Sequence, residues 1–311
     1  MSEIKLDANS TVFFARELEY IKAQSYDVLR ADLGAREWIP LSAENAPWAN
    51  SITYTQYEDI GMAKWIASYA DDLPRCDVKG KQFTVPVRAF GNSYGWNVDE
   101  IVASNALGKR LESRKALASA EAYRDFENTV AWFAKGGTAD GGITGFIYNS
   151  NIPVANAPTG TWASATPDQI IADVAAALDT PNSLTKGKEK PDTLLMGISR
   201  YNILVARRVG SNSDKTILQF LKESRPGVVF AGINELDTVS PRPSTPTVGG
   251  SSTNILLAYK RDPMKLTLET PRDYTTEAPE KRNLEYVVNV HGKTAGVIIY
   301  YPLSCNIVEQ V

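Results

Sequence analysis

One histidine, His291, serves all 311 residues, and the two cysteines, Cys76 and Cys305, stand far apart in no metal-ligand spacing. Serine–histidine–aspartate, cysteine–histidine and histidine-rich metal chemistry each need a histidine placed among partners, so a single one removes whole classes of reaction. Its sequence neighbours Asn289 and Lys293 bring no carboxylate. A place in a turn between two strands is expected for it. Two cysteines supply no disulfide framework and suit a reducing compartment. No apolar run approaches the ~18 residues of a membrane span, AGVIIYYPL and NILLAY being strand-length, so no membrane contact is expected. The start lacks a basic segment followed by an apolar one, and no secretory signal is expected. A formal charge of −3 gives no broad basic field for sequence-specific DNA binding, although local patches remain able to touch packed nucleic acid. At 43% hydrophobic and 22% charged, the composition is that of a folded chain with a sizeable core and room for two lobes.

Motifs that carry chemistry are equally scarce. KGGTADGGITG lacks the Gly-Lys-Ser/Thr ending of a phosphate-binding loop and follows a helix where a strand is required, so it reads as a lobe-crossing turn. Asp71 and Asp72 are adjacent, and adjacent residues on an extended chain point to opposite faces, which does not suit a catalytic pair. With Arg75, Lys79 and Lys81 close by, they read as charges for pairing with a neighbour. The basic pairs Lys109-Arg110, Arg114-Lys115 and Arg207-Arg208 are flanked by acidic or apolar residues and read as solvated faces or intersubunit pairs. No catalytic, cofactor-binding or metal-binding residue is expected, and the chain does not read as an enzyme.

What the sequence does have is a long polar excursion and then a long helix. ITYTQYEDIGMAKWI forms the first arm, ASYADDLPRCDVKG the tip and KQFTVPVRAFGNSYGWN the return arm, over 52–97. Phe83, Val85 and Val87 alternate with Gln82, Thr84 and Pro86, the period of a strand with two different faces. A two-stranded ribbon is marginal alone in water, so this one needs a surface to lie on. Trp38, Trp48, Tyr54, Tyr57, Trp65 and Tyr69 crowd the arm and hairpin, and such amphipathic anchors are enriched at interfaces. The candidate contact residues are Trp65, Tyr69, Asp71, Asp72, Arg75, Lys79, Lys81 and Phe83. Gly91 and Gly95 are candidate hinges for the ribbon.

Residues 1–51 read as an arm, with a thin stripe of Phe14, Leu18, Ile21 and Tyr26 and an extended REWIPLSAENAPWANS. Asn97 with Glu100 forms a capping-box variant that starts a short helix ended by Gly108. A second helix over 111–134 places Leu111, Lys115, Ala118, Ala122, Phe126, Val130 and Phe133 on one line, with Glu127 on another face. Thr166-Pro167-Asp168 starts a helix buried through Ile170, Ile171, Val174 and Leu178. DTLLMGI, SRYNILVARRV, TILQFLKE and VVFAGINEL read as strand, helix, helix and strand, and SPRPSTPTVGGSST as a loop. The last sixty residues read as β, with LEYVVNVHG and TAGVIIYYP joined through His291-Gly292-Lys293. Strands interleaved with helices and a β-rich tail give an α+β chain.

In this order the pieces resemble the major capsid proteins of tailed bacteriophages with the Hong Kong 97 type fold. FFARELEYIKAQSYDV, YADDLPRCDVKGKQFTVPVRAFGNSYGW and NLEYVVNVHGKTAGVIIYYP resemble one capsid subfamily, and the likeness runs through nearly the whole chain. The resemblance implies an N-terminal arm (1–51), an extended loop (52–95), a peripheral domain (96–141 and 255–296) with spine helix 111–134, and an axial domain (142–254 and 297–311). It also implies pentamers and hexamers in an icosahedral head around double-stranded DNA, in a virion assembled in the host cytoplasm. Scaffold, portal and decoration proteins are implied partners, and DNA is held without sequence specificity. Axial contacts are expected through 209–215 and 240–253. Because the arm is recognisable from about residue 11, no cleaved scaffolding segment is expected; nor is a lysine crosslink at Lys79 or Lys81. Two other readings stay open: an encapsulin-type nanocompartment shell, and a cytoplasmic enzyme.

Overall fold

Asn97 does what its spacing predicts. Its side chain accepts from the Asp99 amide (3.4 Å), while Glu100 reaches back to the Asn97 amide (3.3 Å). The computed structural model describes residues 30–42, 44, 46–66, 73–107, 111–157, 160–210, 213–237, 239, 254–309 and 311. Phe14, Leu18, Ile21, Tyr26, Gly108 and the 240–253 loop fall outside those residues.

The first elements are α1 (Ala35–Trp38), β1 (Ser51–Ile60), β2 (Asp77–Pro86), β3 (Arg88–Asn97), α2 (Val98–Leu107) and α3 (Leu111–Phe133). Next come β4 (Val154–Asn156), α4 (Pro167–Leu184), β5 (Thr193–Gly197), α5 (Ile198–Ala206), α6 (Ile217–Ser224) and β6 (Val229–Ile233). The tail holds β7 (Ile255–Tyr259), β8 (Leu266–Glu269), β9 (Arg272–Thr276), β10 (Glu280–Arg282), β11 (Glu285–Thr294), β12 (Gly296–Ile299) and β13 (Asn306–Glu309). Thr166 and Thr216 start α4 and α6 with full capping boxes, paired with Gln169 and Gln219.

The core is organised by the parity of one mixed sheet, in the order β4-β13-β7-β5-β6. In register, Leu195 lies opposite Leu257 and Leu257 opposite Ile307. These three join Trp132, Phe146 and Tyr259 in one apolar cluster. The alternate residues Leu194, Met196, Leu256, Ala258 and Val308 join Ile170, Val174 and Leu221 in the other, under α4 and α6. A sheet buried on both faces reads as continuous apolar runs. The run ILLAY was therefore legible as a strand, and β7 sits at the centre of this sheet.

Three expectations are corrected. The return arm is two strands. β2 pairs with β1, whereas β3 leaves the ribbon and pairs along its whole length with β11, Arg88 opposite Thr294 and Asn97 opposite Glu285. Residues 33–50, expected within the N-terminal arm, belong to the same compact unit as the rest up to 311. Leu41 bridges Leu268, and the Leu268 amide donates to the Pro40 carbonyl (2.7 Å). β11 runs straight through His291-Gly292-Lys293, so His291 is a strand residue. A Cβ on Gly292 would lie 1.9 Å from the Tyr123 hydroxyl, so this glycine marks close packing of α3 on the sheet and no turn.

The third correction concerns α3. Its bounds are as expected, but the apolar line is not the buried one. Ala118 and Ala122 are exposed and Phe126 is 49% exposed, whereas Ser119, Tyr123, Glu127 and Asn128 are buried. The polar members of that buried face are satisfied inside. Ser119 bonds Asn92 (2.7 Å). Asn128 accepts from the Ala35 amide (2.8 Å) and donates to Glu235 (2.8 Å). Glu127 meets Arg36 at 2.7 Å.

Candidate functional site

β1 and β2 pair antiparallel over ten residues each, from Ser51 opposite Pro86 to Ile60 opposite Asp77. That ladder is roughly 33 Å long at strand rise. Nothing else pairs with it among the described residues, so both of its edges are open. The ladder divides at its middle.

In the half nearest the body, Ile52, Tyr54 and Gln56 are half-buried and alternate with exposed residues. Opposite residues share a face, so Phe83 lies with Tyr54 and Val85 with Ile52. Tyr54 stacks on Phe83 (5.3 Å between centroids) and meets Tyr300 edge-on (5.0 Å). The Gln56 amide donates to the Tyr300 carbonyl. Burial there raises the Tyr54 phenol above its ordinary pKa. The feet are tied together, Val87 donating to the Asn50 carbonyl (2.9 Å). The Lys293 ammonium donates to the Ala49 carbonyl (3.1 Å), and Arg88 to the Gly141 carbonyl (2.8 Å).

Beyond Gln56 the ribbon leaves the body. Trp65 is 99% exposed, Tyr57 75%, Met62 73% and Ile66 68%. Val78 and Leu73 are exposed too. The Tyr57 ring covers Gly80, where an added Cβ would meet it at 3.2 Å. Uncovering this much apolar side chain on one excursion marks a surface that something else completes.

The expected contact residues separate accordingly. Trp65, Arg75, Lys79 and Lys81 are exposed on or beside the outer ribbon. Tyr69, Asp71 and Asp72 lie outside the described residues. Phe83 faces its own body, with Lys81 4.8 Å above its ring, because its parity matches Ile52 and Tyr54. Gly91 and Gly95 are not at the ends of a ribbon but inside β3, opposite His291 and Val287. A Cβ on Gly91 would fall 2.2 Å from the Val290 carbonyl oxygen, so the glycine serves strand approach and not a hinge. Met62, Ile66, Leu73 and Val78 were missed. Their only signal was apolar character on a segment with no period.

A polar clamp holds the spine side. Arg36 bridges Glu127 on α3 (2.7 Å) and Asp273 on β9 (2.6 Å). The bond to Asp273, more than any other contact, raises the Arg36 guanidinium above its usual pKa, and the same bond lowers the Asp273 carboxyl. His291 accepts from Arg272 at 2.8 Å and lies 3.6 Å from Glu277. Of the basic pairs, Lys109-Arg110 lies outside the described residues; in the others, Lys115 holds Gly95 and Glu100, Arg207 caps the Ala163 and Ala165 carbonyls, and Arg208 meets Asp214 at 3.6 Å. Cys305 is buried, which pushes its thiol up to about 12. Among the described residues no group of histidine, cysteine and carboxylates could hold a metal ion. None of their helices is long and apolar enough to cross a membrane.

The described residues thus form an α+β body that carries an uncovered two-stranded ribbon. The family model for the major capsid protein matches residues 61–311, and the chain belongs to that family. The capsid of Myoviridae phage XM1 is similar in fold, with TM-score 0.83 at 19% identity, covering 97% of this chain and 99% of that one. The capsid of an empty gene transfer agent particle is similar at TM-score 0.61 and 13% identity, covering 94% of each chain. A virus-like particle from Pyrococcus furiosus gives TM-score 0.52 at 14% identity, covering 90% and 92%. A comparison with curated proteins finds no match. The fold is thus the Hong Kong 97 type of the tailed-phage capsids, and the family's role is structural.

Proposed function

We propose that this chain is the subunit of a phage head, assembling into pentamers and hexamers around double-stranded DNA within the host cytoplasm. The observation that carries the reading is the outer half of the β1–β2 ribbon, whose large apolar residues are left uncovered among the described residues. Laid across the next subunit, the ribbon makes a heterologous contact, and heterologous contacts close into rings. Each contact need be only modest, because a closed shell multiplies it. In this reading the five-stranded sheet with α4–α6 is the axial lobe. The peripheral lobe is α3 with the β3–β11 sheet, and scaffold, portal and decoration proteins act on the outside of this scheme.

The test is to replace residues 61–76 by Asn-Gly, joining Ile60 to its register partner Asp77 through a two-residue turn. The expected product melts like the parent subunit yet forms no closed shells in electron micrographs. Normal shells from this variant would sink the reading. The likeness to the Pyrococcus furiosus particle favours a second reading, a shell around other cargo. Absorbance of purified particles decides: nucleic acid inside supports the phage head, and protein alone supports the alternative.

A further inference from the structure

On a chain whose formal charge is −3, one small region is strongly basic. Residues 184–192, between α4 and β5, and 260–265, between β7 and β8, carry six basic and three acidic side chains, a net of +3. The two segments are joined rather than merely near. The Asp192 amide donates to the Tyr259 carbonyl (3.2 Å), and the Arg261 amide donates to the Asp192 carboxylate (2.8 Å). Each acid is used up within the region. Glu189 pairs with Lys265 at 2.5 Å, both side chains being largely buried. Asp192 also accepts from the Thr193 hydroxyl (2.9 Å), and Asp262 accepts from the Met264 amide (2.9 Å). Arg261 is held too, donating to the Glu37 carbonyl beside the Trp38 ring. That leaves Lys186, Lys188 and Lys190 exposed and Lys260 half-buried, none of them paired with a carboxylate among the described residues.

The stability of α4 explains one of the four at most. The helix dipole favours a cation near its C-terminus, but its pull fades within the last turn, and Lys188, Lys190 and Lys260 lie past it. Lys186 itself holds a left-handed backbone (φ 53), which glycine or asparagine adopts more easily. We propose that these four lysines are a contact site for the phosphate backbone of double-stranded DNA. The choice of DNA rests on the phage-head reading, and the phosphate chemistry on the lysines. Ammonium groups with no competing carboxylate match phosphate oxygens. Lysine lacks the planar fork with which arginine reads a guanine edge, so the site grips backbone and not sequence. Its binding draws on released counterions and weakens steeply with salt.

Anisotropy of a short labelled duplex, titrated with unassembled subunit between about 50 and 200 mM salt, tests the site. Lys186→Gln, Lys188→Gln and Lys190→Gln together should flatten the slope of log affinity against log salt by about 2.7, at roughly 0.9 per phosphate contact. The subunit melting temperature should not change. Lys186→Arg, Lys188→Arg and Lys190→Arg together should keep both affinity and slope. In particles, acetylation of the three lysines should be slow while DNA is inside and rise severalfold once it is released. An unchanged slope, or equal acetylation in full and emptied particles, would overturn the site and leave the head reading standing. Polyglutamate that displaces the duplex at equal charge would overturn DNA as the partner and assign the lysines to an acidic protein segment. A parent chain that binds duplex through these lysines yet never closes into shells would keep the phosphate site and overturn the head reading.

Discussion

The β7 strand and the β1–β2 ribbon are both short stretches of extended chain, and they meet opposite fates. Every residue of β7 is buried, with a neighbouring strand on each side and a cluster on each face. The outer ribbon has no lateral strand among the described residues, and its aromatic and aliphatic groups stand in water. The difference separates what the chain covers by itself from what it leaves uncovered, which is the part the proposed shell contact would cover. Core tryptophan and ribbon tryptophan should therefore fail in different assays.

Trp132, fully buried and parallel to Phe146 at 5.9 Å, sharpens that contrast most. Trp132→Ala should cost roughly 3–5 kcal/mol of subunit stability in denaturant titrations. Trp65→Ala should leave the free subunit within about 0.5 kcal/mol of the parent. Its effect belongs to assembly, where losing an anchoring tryptophan costs about 2 kcal/mol or more per contact. A Trp65→Ala subunit that unfolds early would break the comparison. Next in size is Arg36→Ala, which strands the buried Glu127 and should cost about 2 kcal/mol, less than a fully buried pair because Arg36 is partly wet. Tyr54→Ala tests the boundary between the two halves. It should cost about 1 kcal/mol and speed amide exchange in β1 and β2 while leaving β3 protected.

The smallest effect is a pH dependence. Arg36 lowers the Asp273 pKa in the folded protein, so this contribution to stability is complete above the unfolded carboxylate value of about 3.9. It is lost as pH falls further, through the lowered folded value. Denaturant midpoints between pH 5 and 2.5 should fall less steeply for Asp273→Asn than for the parent. A slope unchanged by the substitution would remove Asp273 from the account.

Local signals were legible and distant partners were not. The caps at Asn97 and Thr166 need only three or four residues, and each starts its helix at the expected place. The bounds of α3 were legible for the same reason. Its buried face was not, because Ser119, Glu127 and Asn128 are made tolerable inside by Asn92, Arg36 and Glu235, residues far away in sequence. Phe83 was assigned to the neighbour because alternation shows two faces but not which one meets the body. Val87 divides β2 from β3 only because β11 captures Arg88–Asn97. Trp65, expected to be an anchor because amphipathic aromatics are enriched at interfaces, is exposed on its own subunit, and its role in assembly belongs to the proposal.

The single residue between β2 and β3 has a mechanical consequence. A pull on the tip travels down β2, passes Val87, and enters a ladder of ten register pairs between β3 and β11. Asn50 and Lys293 grip the same junction, so the load divides among many hydrogen bonds acting side by side. Under internal pressure, such a subunit would carry tension from its neighbour into the β3–β11 sheet and the helix packed on it, with no slack loop in between.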